Sequence, residues 1–402
     1  MPTAPRRSTL RAVRRVVPAL LAALVGSLLV QAVPAGAAEP TLTRAARIVA
    51  TAVAGEPLRV VVTAVDDRGR PQIEATPAAS RTEALDLVAR ALVDQPDATV
   101  SMARPVRAAV SNDPLRPRQW GLTRLQAETL WSRANGAATT STRRAVVAVV
   151  DTGADATHPD LRGNVLSGID LVGGGVGDPN GHGTHVAGIV AAVAGNRRGV
   201  AGLVPRAAVL PVRVLDASGS GSSDVVARGI VRAADRRPHV INLSLSTTGN
   251  DPAVQRAVEY AQRRGVLVVA AAGNSGCGLL RFPEYPAAYA GVVGVGSVDS
   301  SLAVSRFSSC GSWVDVAAPG GGIWSTVPDR DRLGCAGTYC AVSGTSMAAP
   351  HVAAAGALAM SRRALTAATV AARIERTARD LGPRGKDQSF GAGFLDARAV
   401  VG

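Results

Sequence analysis

The run Arg144-Ala145-Val146-Val147-Ala148-Val149-Val150-Asp151 decides the fold. Between its charged ends every residue is apolar and most are β-branched, without polar alternation. That is the pattern of a strand covered on both faces, as strands of parallel sheets are. Similar runs follow at 209–215, 240–245, 266–272 and 292–298. Helical segments fall between and after them, at 184–194, 223–236, 251–264 and 346–360. Such alternation predicts an α/β domain, a mostly parallel sheet with helices on both sides in three αβα layers. Ligands of such sheets bind beyond the C-terminal strand ends. Asp151, Ser244 and Asn274 each follow such an end.

Upstream the texture changes. Residues 39–107 read as a small α+β unit. Strands are expected at 58–65, 72–76 and 98–102, and a helix is capped by Ser80 with Glu83 in a capping box. The segment from Pro105 to Pro117 reads as a linker with Asn112-Asp113-Pro114 as its turn signal. Residues 1–38 read as a signal peptide: Arg6, Arg7, Arg11, Arg14 and Arg15 form a basic start, 16–33 an apolar stretch, and Ala35-Gly36-Ala37 a small-residue cleavage signal. The expected product is secreted and extracellular, without membrane attachment after signal removal.

Formal net charge is +14 and almost all positive charge is arginine, Lys386 being the one lysine. Aromatic residues make up 3% of the chain, too few for a base-stacking surface, so no nucleic-acid partner is expected. Export permits disulfides. The four cysteines lack paired C-x-x-C spacing, which argues against zinc, and Cys335–Cys340 with Cys277–Cys310 is the preferred pairing.

The chemistry gathers in three short stretches. Gly344-Thr345-Ser346-Met347-Ala348-Ala349-Pro350-His351 opens an Ala-rich helix, so Ser346 sits among unpaired backbone N–H groups at a helix start. Serine there is also an ordinary N-cap residue. As a nucleophile it needs a base. Of five histidines, His182 stands between glycines in Asn180-Gly181-His182-Gly183-Thr184-His185-Val186-Ala187-Gly188. His182 and His185, one turn apart, could instead ligate a metal, but no nearby Glu completes that motif. Asp151, leaving a buried strand, is suited to orient an imidazole.

Together these stretches resemble the subtilisin-like serine proteases, the subtilases (peptidase family S8). The matching pieces are Asp151-Thr152-Gly153, His182-Gly183-Thr184-His185-Val186-Ala187-Gly188, Ala271-Ala272-Gly273-Asn274 and the octapeptide around Ser346. They run in the order Asp, His, Ser. The resemblance covers roughly residue 112 to the C-terminus, so 108–402 is expected to be the peptidase domain. It implies Ser346 as nucleophile, His182 as general base and acid, Asp151 as its orienting carboxylate, and Asn274 as an oxyanion donor beside the Ser346 N–H. By position and size, 39–107 resembles the family's inhibitory propeptide, a ferredoxin-like α+β unit. The expected partners are therefore protein or peptide substrates and the chain's own propeptide, on a monomer. The rival readings are a maturation protease of a secretion system and a catalytically silent binding module.

The same resemblance implies that Ser244-Leu245-Ser246 and Ala271-Ala272-Gly273 flank the pocket for P1, the substrate residue before the scissile bond, and pair with the substrate backbone. Glu284, in Phe282-Pro283-Glu284-Tyr285-Pro286, falls at the pocket base, where it favours Arg or Lys or else points to solvent. Self-cleavage is expected after Arg107. A structural Ca²⁺ is implied, held by Asp113, Asp160 and Asn196 with the carbonyls of Val193, Arg198 and Val200. Met347 is a packing residue whose oxidation would crowd Ser346.

Overall fold

The structure is a computed structural model that describes residues 39–52, 57–67, 69–103, 111–136, 144–278, 282–363 and 365–402. The signal-peptide reading and the cleavage point after Arg107 lie outside the described residues. The chain divides into two compact units, Met1–Arg107 and Ala108–Gly402.

In the first unit, α1 (Thr41–Ala50), β1 (Leu58–Val65), β2 (Pro71–Ala78), α2 (Arg81–Asp94) and β3 (Thr99–Met102) follow in order. The strands form an antiparallel sheet in the order β2-β1-β3. Ala45, Val49, Val60, Ala84 and Val88 make a small core between helices and sheet. Ser80 caps α2 by accepting the Glu83 N–H at 3.1 Å, while Glu83 reaches back to the Ala79 N–H, one residue earlier than a capping box requires. Helix α1 was not expected from the sequence, and β2 is three residues longer than expected.

The second unit is built on seven strands: β4 (Val146–Asp151), β5 (Ile169–Asp170), β6 (Ala208–Arg213), β7 (Val240–Leu243), β8 (Leu267–Ala271), β9 (Val293–Val298) and β10 (Val316–Pro319). All neighbours pair in parallel, in the order β10-β9-β8-β7-β4-β6-β5. The two-residue side-chain period explains the layers. Val147 and Val149 of β4 enter one apolar cluster with Val209, Leu267, Val269, Val293 and Val295. Ala148 and Val150 enter another, with Leu210, Val212, Ile241, Val268 and Ala270. Helix α5 (His182–Ala191) and helix α8 (Thr345–Arg363) cover the first face. Helices α6 (Ser223–Asp235) and α7 (Pro252–Arg263) cover the second. Counting α3 (Trp120–Arg124) and α4 (Ala127–Gly136) before the sheet, with α9 (Ala367–Thr377) and α10 (Ala397–Val401) after it, the three-layer αβα architecture stands as expected.

Three departures matter for the site. Strand β7 ends at Leu243, two residues short of the expected end, so Ser244, Leu245 and Ser246 leave the ladder. Helix α5 starts at His182, two residues early, because Gly181 takes φ +110° and turns the chain into the helix. An antiparallel pair, β11 (Ile323–Thr326) and β12 (Tyr339–Val342), carries the chain into α8 and had no clear sequence signal.

Helix α8 is buried from Thr345 to Ala359, which explains its alanines and glycine. A Cβ on Gly356 would stand 2.9 Å from Leu267, so the helix lies directly against the sheet.

Candidate active site

Asp151 ends the central strand β4 and is fully buried. One carboxylate oxygen, Oδ1, accepts the Thr152 N–H and the His182 Nδ1–H, each at 2.8 Å. Its other oxygen has no hydrogen-bond partner among the described residues. The His182 side chain stays 21% exposed, open enough to meet a ligand. Burial pulls its pKa down, but the charge and hydrogen bond of Asp151, with the nearby charge of Asp178, outweigh it and leave the pKa raised. A ring that donates through Nδ1 presents its Nε2 lone pair when neutral.

Asp178 was not singled out by the sequence reading. It accepts hydrogen bonds from Thr152 Oγ1, the N–H groups of Asn180, Gly181 and Thr184, and Thr184 Oγ1, at 2.7–3.0 Å. It thereby ties the turn after β4 to the start of α5. The remaining signal in the sequence was only an acid four residues before the histidine.

His185 is fully buried, its Nε2 3.3 Å from the Cys340 carbonyl, and burial with the neighbouring His182 pushes its pKa down to about 3. Burial likewise holds His351 down to about 4. Both stay neutral, leaving His182 the base that can exchange a proton at this site. Among the described residues no three His, Cys, Asp or Glu side chains converge on a metal position, so the His182/His185 metal reading finds no further ligand.

Ser346 is the second residue of α8. Four residues on, Pro350 lacks the N–H that would bond the Ser346 carbonyl. Ser244 Oγ fills that place at 2.8 Å, and Ser346 Oγ donates to the Ser244 carbonyl at 3.1 Å. This reciprocal pair fixes the turn carrying Ser346 to the residue just beyond β7. No hydrogen bond joins Ser346 to His182, but Ser244 and His182 line one cavity, and rotation about χ1 redirects a serine hydroxyl.

Asn274 follows β8. Its Oδ1 accepts from the Thr345 N–H at 2.9 Å and Thr345 Oγ1 at 3.0 Å. With the oxygen held, the amide nitrogen faces away from Thr345. A Cβ built on Gly344 would lie 3.7 Å from both Asn274 Nδ2 and the Ser346 N, so two N–H donors border one small space.

The cavity of about 660 Å³ beside His182 is lined by Ser244, Leu245 and Ser246 on one side, and by Tyr285, Leu215 and Leu333 elsewhere. Ala271 ends β8 inside the core, with Ala272 buried next to it. Gly273 takes φ +106°, and a Cβ there would meet the Glu284 carboxylate at 1.9–2.1 Å. Glu284 is thus buried against Gly273, not turned to solvent, and it accepts from Ser309 Oγ. Among the described residues no cation pairs with it.

Of the expected calcium ligands, Asp113 and Asp160 both bond the loop that carries Asn196, though among the described residues no three His, Cys, Asp or Glu side chains converge there. Asp113 accepts the N–H groups of Gly195 and Asn196 at 2.8 and 3.0 Å. Asp160 accepts Asn196 Nδ2 at 2.8 Å and the Val200 N–H at 2.9 Å, and its carbonyl accepts the Val193 N–H. Two buried carboxylates on one loop suit a hard cation. The Asn196 amide, however, turns its nitrogen to Asp160 and its oxygen to the Arg198 N–H. Ligation through that oxygen requires the amide to turn over. Both expected disulfides are formed, Cys277–Cys310 and Cys335–Cys340. Met347 is buried at the start of α8.

Comparison with known proteins agrees with this geometry. The subtilase family profile matches residues 142–393. Thermitase of Thermoactinomyces vulgaris is 47% identical over 271 residues, covering 66% of this chain and 91% of that protein. Subtilisin Savinase of Lederbergia lenta is 40% identical over 285 residues, covering 70% of this chain and 98% of its own. A solved protease structure from Pseudoalteromonas arctica superposes with a TM-score of 0.64 at 33% identity, over 73% of this chain and 99% of that one. With a buried acid on the ring, a serine at a helix start and a family match across most of the folded domain, this chain belongs to the subtilase family and is a serine endopeptidase.

Proposed function

We propose that this endopeptidase is secreted and self-processing, and that it cuts after basic residues with Ser346 as its nucleophile. The 2.8 Å bond between Asp151 and His182 carries the reading, because it orients a base whose free nitrogen opens on the same cavity as Ser244. The hydroxyl of Ser346 turns from the Ser244 carbonyl to His182 Nε2, which removes its proton as the oxygen attacks the scissile carbonyl. Asn274 Nδ2 and the Ser346 N–H hold the oxyanion. His182, now charged beside Asp151, returns the proton to the leaving amine, and a water repeats the sequence to free the acyl product. The substrate backbone lies along Ser244–Ser246, released from the ladder by the early end of β7.

The P1 side chain enters between that segment and Ala271–Gly273. Glu284 behind Gly273 supplies a buried carboxylate that no cation among the described residues pairs with, and which an Arg or Lys of the substrate completes. Residues 39–107 act as an inhibitory propeptide released by cleavage after Arg107. Asp113, Asp160 and Asn196 would hold a structural calcium, which contributes to stability and not to the chemistry. Among the described residues no helix is long and apolar enough to cross a membrane.

The test compares wild type with Ser346→Ala. Wild type is expected to release the 39–107 segment and hydrolyse peptides with Arg or Lys at P1, with Ala108 as the new N-terminus. Ser346→Ala is expected to do neither. Equal processing by both proteins would sink the assignment.

A further inference from the structure

The loop between β11 and β12, whose last residues are tied to β12 by Cys335–Cys340, leaves its own hairpin to lie on the start of α5. The Arg332 N–H donates to the Asn180 carbonyl at 2.7 Å. A Cβ on Gly181 would stand 2.8 Å from Asp331 Cβ and 3.3 Å from Leu333, so the loop packs flat on the glycine preceding His182. Asp331 spends one carboxylate oxygen on the N–H groups of Leu333 and Cys335. No carboxylate pairs with Arg332 among the described residues, and the residue is exposed. Arg332 and Leu333 line the same cavity as His182, Leu215 and Leu245.

An extended substrate sends successive side chains to opposite sides. If P1 enters between Ser244–Ser246 and Ala271–Gly273, the preceding residue, P2, turns the other way, toward His182, Leu215 and this loop. The other acid of the cavity is committed elsewhere: Asp251 accepts from Ser223 Oγ and caps α7. We propose that the loop 329–340 is a wall of the P2 subsite and that Arg332 selects substrates with Asp or Glu at that position. Leu333 and Leu215 supply the apolar contact for the stem of such a side chain, and the Arg332 N–H bond to the Asn180 carbonyl holds the loop on α5, with Cys335–Cys340 tying its end to β12.

This inference rests on the protease reading, and the experiment separates the two. Two peptides identical except for Glu or Lys at P2 are offered to the mature enzyme at low salt, and kcat/KM is measured for each. Wild type is expected to prefer Glu about tenfold, the combined scale of one attraction and one repulsion between partly exposed charges. Arg332→Gln should bring the ratio near one, and Arg332→Glu should invert it. High salt should compress the wild-type ratio. A ratio unchanged in both variants overturns the inference. So does an equal loss on both peptides with the ratio kept, which would mark Arg332 as merely structural. If wild type cleaves neither peptide, nor any peptide with a neutral P2, the protease reading fails and takes this one with it.

Discussion

The side-chain oxygen of Asn274 accepts the Thr345 N–H at 2.9 Å, and this bond decides which end of the amide is left unheld for its proposed role as an oxyanion donor. A carboxamide free to flip would present its oxygen half the time and repel a developing oxyanion. Thr345, one residue before the nucleophile, removes that freedom with both its N–H and its hydroxyl. Replacing Asn274 by Ala should lower kcat by about 10²–10³ with KM little changed. That scale is the one known for a subtilisin's own oxyanion amide and is carried over from it. Steady-state kinetics on one peptide checks it; a loss confined to KM would show that Asn274 binds the ground state instead.

His182 acts as a base only when neutral, so its raised pKa sets the acid limb of activity. That limb in kcat/KM should lie above the ordinary imidazole value. Asp178→Asn removes one of the charges that raise it and should move the limb to lower pH, at some cost in stability, since Asp178 holds the turn into α5. The stability sign follows from the same shift. His182 favours the fold fully below its unfolded pKa, and that contribution fades as pH rises through the folded value. A pH profile of both proteins decides this, and an unmoved limb in Asp178→Asn would remove Asp178 from the electrostatics of the site.

Glu284 lies behind Gly273 with Ser309 as its hydrogen-bond donor and, among the described residues, no cation. A charge pair formed away from water loses most when one member is neutralised. Glu284→Gln should therefore reduce kcat/KM for Arg and Lys at P1 at least tenfold, roughly the lower end expected for such pairs. Peptides with Leu or Phe at P1 should be spared. If all P1 residues lose activity together, Glu284 is a structural acid held by Ser309.

Asp113 and Asp160 bracket one loop, and calcium there would stabilise the fold by mass action. At a hundredfold excess over Kd the effect is about 2.7 kcal/mol, which for a domain of this size is a shift of roughly 4 °C in Tm. Chelator should lower Tm by that amount in Ser346→Ala protein, where autolysis is absent, and added calcium should restore it. Asp160→Asn should abolish the response. A Tm indifferent to chelator would mean that the Asn196 amide keeps its nitrogen on Asp160 and the loop needs no ion.

The sheet was legible because its strands are buried on both faces, which leaves a solid apolar run such as 146–150 that no surface strand has. The proposed catalytic residues were legible because glycines and strand ends expose them in short contiguous motifs. What stayed hidden depends on contacts between distant segments. Helix α1 starts after Pro40 with no side-chain cap, so nothing local announces it. Helix α9 does carry a signal, Thr366 accepting the Thr369 N–H ahead of buried Val370 and Ile374, but it lies beyond the motif-bearing stretch. Asp178 reads as a turn acid until the fold brings five donors onto it. The loop carrying Arg332 reads as a polar insertion until packing lays it on Gly181.

Cys277–Cys310 joins the segment just after Asn274 to the segment carrying Ser309, the donor to Glu284. It therefore ties the segment following Asn274 to the one that holds Glu284, the two sides of the proposed P1 pocket. The closed loop spans 33 residues, for which chain entropy predicts about 3–4 kcal/mol; the 5-residue span of Cys335–Cys340 predicts only about 2. Replacing both Cys277 and Cys310 by Ser should thus lower Tm further than replacing Cys335 and Cys340, when both are measured in the Ser346→Ala background. The active forms should differ in kind as well. Loss of the first bridge loosens Glu284 and should blunt selection at P1, whereas loss of the second frees the loop over Gly181 and should leave P1 selection intact. If the two double substitutions change Tm and P1 selection equally, neither bridge is specific to the wall it closes.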